Sequence, residues 1–256
     1  MSLPLLPPFR QRLASGQPLL GTFVKSPGAH GIEVLGEVGL DFVVIDAEHA
    51  PWDRGAVDLA LLAARAHALP ALVRVENSAG ILSALDSGAT GVLVPHVSHP
   101  DTARAVVAAC RYRPGQRGFS NSPRAGRYGG LGLAAHLDAS DTATTVVAML
   151  EDAEALDHAE ALAAVEGIDA FFLGRGDLTV ALGETSTEAE TVRRAVALLV
   201  AAVRAAGKPL CAFVGKTSEI PALQALGVTA FILSSDQGLL RHAASTELAQ
   251  FKALPA

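Results

Sequence analysis

Phe42-Val43-Val44-Ile45-Asp46-Ala47-Glu48-His49-Ala50-Pro51 is an apolar run that stops abruptly in two carboxylates and an imidazole. A strand buried on both faces of a parallel sheet is apolar without alternation, and the chemistry of a parallel barrel sits where such strands end. The same grammar returns in Val146-Val147-Ala148-Met149-Leu150-Glu151-Asp152 and in Ala170-Phe171-Phe172-Leu173-Gly174-Arg175-Gly176-Asp177. Three strand ends therefore offer carboxylates, and one of them a histidine.

Working outward, short apolar runs alternate with longer Ala- and Leu-rich segments at helical spacing. Strands are predicted at Leu19–Val24, Phe42–Asp46, Ala71–Val75, Gly91–Pro95, Thr145–Leu150, Ala170–Leu173, Leu210–Val214 and Thr229–Leu233. Helices are predicted near His30–Val38, Arg54–His67, Ala79–Ser87, Pro100–Tyr112, Ala153–Val165, Glu188–Ala206, Ser218–Leu226 and Gln237–Leu248. Eight βα units in 256 residues fit an α/β fold of the (β/α)8 TIM-barrel type. An open doubly wound sheet is the rival, but no Gly-x-Gly-x-x-Gly follows the first strand, where Leu20-Gly21-Thr22-Phe23 stands instead. No linker or composition shift divides the chain, so residues 1–256 read as one domain. The connection from about Arg113 to Asp141 is much longer than the others, which points to a site or an interface.

Half the residues are apolar, enough to bury a core without disulfides, and Cys110 and Cys211 fall in apolar or helical patterns as buried thiols. A net charge of −6, with the arginines scattered except around 111 to 127, argues against a nucleic-acid surface and leaves room for a small acidic metabolite if those arginines converge. Met1 to Gly16 has no long apolar stretch and no segment could span a bilayer, so a cytoplasmic protein without membrane association is expected.

Glu151 and Asp177 end neighbouring strands, about 5 Å apart in strand spacing, and could share a hard divalent cation. The alternative is that Glu151 caps a helix while Asp177 pairs with an arginine such as Arg175. His49, three residues after Asp46, could form an Asp–His pair that fixes the imidazole tautomer for proton transfer, or could simply close the turn before Pro51. Arg74, in Leu72-Val73-Arg74-Val75, would point into the barrel top and hold a carboxylate or enolate oxygen, or make a structural pair. Lys25 and Lys216 follow strands one and seven, which keeps a Schiff-base route open. Arg124, Arg127 and Tyr128 of the long connection could touch the far end of a substrate or make loop salt bridges.

With these phrases assembled, and with Leu85-Asp86-Ser87-Gly88-Ala89 and Arg117-Gly118, the chain resembles the HpcH/HpaI family of class II pyruvate aldolases over residues 17 to 250. The resemblance implies a metal-dependent carbon–carbon lyase that reversibly splits 4-hydroxy-2-oxo acids into pyruvate and an aldehyde. It implies Mg²⁺, Mn²⁺ or Co²⁺ on Glu151 and Asp177, Arg74 stabilising the enolate, and His49 with Asp46 moving protons. Asp86 matches an acid that reaches a neighbouring subunit's site, in a hexamer whose dimers exchange the last helix. Substrate contacts are expected from Arg74, Gly174, Gly176 and Arg124. Met149 and Arg175 depart from the family's usual Gln and Pro, which bears on substrate orientation. Two alternatives stand beside this reading. One is an acyl-CoA lyase or condensing enzyme of the citrate lyase β-subunit type, and the other is a non-catalytic metabolite-binding barrel.

Overall fold

Side chains along a strand point alternately to its two faces, so closing a sheet into a barrel sends one row inward and the other toward the helices. The computed structural model describes residues 7–255. Residues 1–6 and 256, which belong to the amino-terminal stretch and the one-domain span read above, lie outside the described residues. Strands β1 (Leu19–Val24), β2 (Phe42–Asp46), β3 (Ala71–Arg74), β4 (Gly91–Val94), β5 (Thr145–Leu150), β6 (Ala170–Leu173), β7 (Leu210–Val214) and β8 (Val228–Ser235) pair in sequence order, all parallel, and β8 closes on β1. The fold is thus a (β/α)8 barrel, as the sequence pattern predicts.

The inward row is a compact apolar core that includes Leu19, Phe23, Phe42, Val44, Leu72, Leu93, Val147, Met149, Phe172, Cys211 and Ile232. The outward row packs Val43, Ile45, Val73, Val92, Val146, Ala148, Phe171 and Val214 against the helices in a second, larger core. Cys110 and Cys211 are buried free thiols, and burial pushes both up to about 12.

The outer helices are α2 (His30–Val38), α3 (Arg54–Ala66), α4 (Gly80–Asp86), α5 (Pro100–Cys110), α7 (Ala159–Ala163), α9 (Glu190–Ala205), α10 (Ile220–Leu226) and α11 (Asp236–Lys252). Three others are absent from the sequence reading. Helix α1 (Phe9–Ala14) closes the bottom of the barrel, where buried Phe9 meets Phe42 at a ring separation of 5.2 Å and Leu13 completes the plug. Helix α6 (Leu133–Ala143) occupies the end of the long connection, which is otherwise irregular apart from a turn at Arg124–Gly126. Helix α8 (Arg175–Ala181) follows β6 directly, so Asp177 lies in its first turn rather than at the strand end. The predicted helix over Ala153–Val165 divides into a tight turn at Ala153–Leu156 and α7.

Among the described residues, no helix is long and apolar enough to cross a membrane. Helix α11 buries none of its residues and leaves Leu240, Leu248 and Phe251 exposed.

Candidate active site

Carried past the last hydrogen bond of each strand, the inward row changes from apolar to charged. On β2 the row Phe42, Val44 continues into Asp46, on β3 Leu72 continues into Arg74, and on β5 Val147, Met149 continues into Glu151. Of these, Arg74 lines a cavity of about 660 Å³ at the carboxyl ends of the strands, together with Lys25, His49, Met149, Gly174 and Asp177, among others; Asp46 and Glu151 are buried behind that lining.

Asp46 is fully buried and is held by Arg74 through two bonds, Nε to Oδ1 at 2.8 Å and Nη2 to Oδ2 at 2.7 Å. Lys25 Nζ reaches Oδ2 at 2.9 Å from the end of β1. Burial opposes ionisation, but the hydrogen bonds and charges of these two cations outweigh it and hold the Asp46 carboxyl down at about 2. Arg74 completes its fork with Glu48, Nη1 to Oε2 at 3.2 Å, and its guanidinium lies 4.7 Å from the Phe23 ring centre. The Nε–Nη2 edge of the guanidinium is thereby fixed on Asp46 while Nη1 stands at ion-pair distance from Glu48, and such fixed orientation is the property a planar cation contributes to a site.

The expected Asp46–His49 ring pair is not formed. Asp46 is consumed by its two cations and bonds only the backbone N–H of His49, at 3.2 Å, while the His49 ring is half exposed and stands 3.5 Å from Glu48. The turn Asp46–His49 explains this: the carboxylate that caps the amide cannot also reach the ring three residues on.

Glu151 is 2 % exposed and accepts the backbone N–H of His96 at 2.9 Å. Burial and the nearby Asp177 charge push its carboxyl up to about 7 against that bond. Among the described residues neither Glu151 nor Asp177 has a lysine or arginine within 4.0 Å. The Arg175–Asp177 pair, the alternative to a shared cation, does not form either, because Arg175 bonds the Phe213 carbonyl at 3.0 Å and Glu219 at 3.2 Å. Two oxygen donors with no lysine or arginine beside them, one of them dry and with only the His96 ring 3.6 Å from it, are a donor set that a hard divalent ion takes. Gly174 makes room for them, since a Cβ there would lie 2.4 Å from Glu151 Cβ and 2.7 Å from Oε2. Gly176 lines the cavity beside Asp177. Among the described residues no three or more His, Cys, Asp or Glu side chains form a metal-holding group by themselves. A cation here would take the rest of its shell from water and substrate.

Two further residues fall outside the cavity of their own chain. Arg124 is buried against the outer helices, with its guanidinium on the Asp58 carboxylate (2.9 Å) and on the carbonyls of Asp58 (3.0 Å) and Ser87 (2.7 Å). Its expected contact with substrate is replaced by a tie between the long connection and α3 and α4. Asp86 ends α4 and pairs with Arg117 at 2.9 Å, away from this cavity.

Sequence reasoning gave Glu48 and His96 no part in this arrangement, and Lys25 only an open Schiff-base route. Their common signal is placement one to two residues beyond a strand end. His96 adopts a left-handed φ of +55°, which turns its amide onto Glu151. Its ring bonds Asp152 at 3.1 Å, and although burial opposes its charge, that bond and the carboxylates of Glu151 and Glu48 raise its pKa above the ordinary histidine value.

The HpcH/HpaI aldolase/citrate lyase family model matches residues 19–243. The chain belongs to that family. Among family relatives, it is 32 % identical to a 5-keto-4-deoxy-D-glucarate aldolase of Shigella boydii, over 98 % of this chain and 99 % of that one. It is 38 % identical to a 4-hydroxy-2-oxovalerate aldolase of Rhodococcus jostii, over 78 % of each. The crystal structure of the citrate synthase SbnG superposes with a TM-score of 0.86 at 32 % identity, covering 96 % of this chain and 97 % of that chain. The family places the protein among enzymes of the aldolase and lyase kind, with a citrate synthase among its structural neighbours.

Proposed function

We propose that the protein is a divalent-metal-dependent aldolase that cleaves a 4-hydroxy-2-oxo acid to pyruvate and an aldehyde, and joins them in reverse. The observation that carries this reading is the buried carboxylate Glu151, raised in pKa by burial and by the nearby Asp177 charge, next to a cavity that Asp177 lines together with the Arg74 guanidinium and the half-exposed His49 imidazole. A divalent cation held by Glu151 and Asp177 would supply Lewis-acid stabilisation of the negative charge that develops on the 2-oxo oxygen.

The remaining work falls to the chain's own groups. Arg74, locked by Asp46 and Glu48, offers the oxygens of the 2-oxo acid a cation that needs no reorganisation during reaction. His49, open to solvent beside Glu48, takes the proton of the 4-hydroxyl through a water molecule as the C3–C4 bond breaks, and the proton is returned to C3 to give pyruvate. Phe23, Met149 and Phe172 wall the cavity with apolar surface, which strengthens these charge interactions. Lys25 is a poor Schiff-base candidate, because a lysine of that kind presents a free amine to the carbonyl, whereas Lys25 shares the Asp46 carboxylate with Arg74.

We also propose a homo-oligomer. The exposed Leu240, Leu248 and Phe251 on α11 form an apolar face that a second copy would cover, and Asp86 would then meet a neighbouring site.

The likeness to a citrate synthase favours a second reading, in which the same charged site makes or breaks a carbon–carbon bond of a citrate-like acid, from a thioester or otherwise. Pyruvate release from a panel of 4-hydroxy-2-oxo acids, before EDTA, after it, and with Mn²⁺, Mg²⁺ or Co²⁺ restored, tests the first reading. Loss and recovery support it. Absence of pyruvate with citrate or thioester turnover instead supports the second, and inactivity on both panels returns the chain to a metabolite-binding barrel.

A further inference from the structure

In a closed eight-stranded barrel β1 stands opposite β5, and β8 opposite β4. The 2-oxo acid end of a substrate, placed by Glu151, Asp177 and Arg74, therefore leaves its other end to reach the sector where β8 meets β1. That sector is not apolar. The inward row of β1 passes from Phe23 to Lys25, and the inward row of β8 passes from Ile232 to Ser234. Between Gly21↔Ile232 and Phe23↔Ser235 the register of this strand pair slips by one residue, leaving an extra residue on β8. Irregularities of this kind at a barrel rim re-aim side chains. Here Ser234 adopts a left-handed φ of +53°, a conformation that a non-glycine residue rarely takes. Both Ser234 and Ser235 then line the cavity together with Lys25.

Asp46 already has Arg74 on both of its oxygens and the His49 amide on one of them. An ammonium carries three donors, and Asp46 is the one ion-pair partner of Lys25 among the described residues. The side chain is partly exposed and on the cavity wall, so further donors are offered to whatever occupies that sector.

We propose, resting on the aldolase reading above, that Lys25 with Ser234 and Ser235 forms the subsite for the aldehyde half of the substrate. It selects aldehydes that carry an oxygen, hydroxyl or carboxylate, on the carbon next to the carbonyl or as that carbon's acid group. Lys25 is the residue that sets this preference. A hydrogen bond from a charged donor discriminates between an oxygen and an isosteric methyl by about tenfold to a hundredfold.

The test is aldol addition of pyruvate to matched aldehydes by the metal-loaded protein, wild type against Lys25→Met and Lys25→Arg. Glycolaldehyde is paired with propanal, and glyoxylate with 2-methylpropanal, and kcat/KM is measured for each. The proposal expects the oxygenated-to-alkyl ratio to fall about tenfold or more in Lys25→Met, chiefly through the KM of the oxygenated aldehyde, and to recover in part in Lys25→Arg. A greater fall for glyoxylate assigns a carboxylate, and a greater fall for glycolaldehyde assigns a hydroxyl. An equal loss on both members of each pair means that Lys25 only steadies Asp46 and Arg74, which overturns the proposal, as does an unchanged ratio. Deuterium exchange into the pyruvate methyl group by the wild type, with no aldehyde present, separates the two levels of inference. Absence of exchange removes the aldolase reading and the subsite with it, whereas exchange with an unchanged ratio removes the subsite alone.

Discussion

Replacing Glu151 with Gln should make the metal-free protein more stable above neutral pH while removing metal-dependent turnover. Burial and the Asp177 charge raise the Glu151 carboxyl from 4.5 to about 7. Because the folded-state value lies above the unfolded one, the contribution is favourable below about pH 4.5 and is lost as pH rises through about 7. At 1.36 kcal/mol per unit, ionising Glu151 in the empty site costs the fold about 3 kcal/mol. Gln keeps the shape, and its carbonyl still accepts the His96 amide, but it carries no charge. Urea unfolding in EDTA should therefore show Glu151→Gln gaining on wild type by about 3 kcal/mol between about pH 5 and about pH 8.5. Added Mn²⁺ should reverse the order at the higher pH by stabilising only the wild type. A gap that does not change with pH, or a variant that loses stability at high pH, would refute the claim that Glu151 is a buried carboxylate near the Asp177 charge with no lysine or arginine beside it.

Gly174→Ala places a methyl group 2.4 Å from Glu151 Cβ, so the carboxylate must move, and Mn²⁺ affinity measured by titration should fall about tenfold or more. Asp46→Asn leaves Arg74 and Lys25 sharing a neutral amide. Since the folded Asp46 value is depressed from 3.8 to about 2, its stabilisation of about 2 kcal/mol is present above about pH 4 and disappears as pH falls through about 2. Denaturant unfolding of wild type and variant should therefore diverge at neutral pH and converge in acid. Phe9→Ala empties the plug at the base of the barrel and should cost about 3 to 5 kcal/mol with little change in the KM for substrate at the opposite end.

The barrel is legible in the sequence because buried strands such as Phe42–Ile45 and Val146–Leu150 must be apolar on both faces, and their charged ends at Asp46 and Glu151 break the pattern abruptly. The ends of the inward rows follow from the same alternation, which is why Arg74, Asp46 and Glu151 converge where strand counting puts them. What the sequence does not disclose is who pairs with whom. Asp46 and His49 are three apart and invite a side-chain pair, yet the turn gives Asp46 the His49 amide, and β3 and β1 bring it two stronger partners. Arg124 looks available in a long connection, but Asp58 and Ser87, far away in sequence, take its donors. Helix α1 is six residues long with two buried side chains, too short for a periodic signal, and its reason to form is the open end of the barrel beneath it. Helix α8 hides in Gly174-Arg175-Gly176-Asp177, where glycines read as loop while the hydrogen bond from Leu178 N–H to the Gly174 carbonyl already closes the first turn.

The most direct test of the central claim, that Glu151 and Asp177 hold the cation on which carbon–carbon cleavage depends, is a titration of EDTA-stripped protein with Mn²⁺. Free Mn²⁺ is followed by electron paramagnetic resonance, and pyruvate release is measured in the same samples. The account predicts turnover that rises in proportion to bound Mn²⁺, saturates at one ion per chain, and is lost with binding in Glu151→Gln. Turnover that proceeds at full rate before any Mn²⁺ is bound, or binding that survives intact in Glu151→Gln, would contradict it.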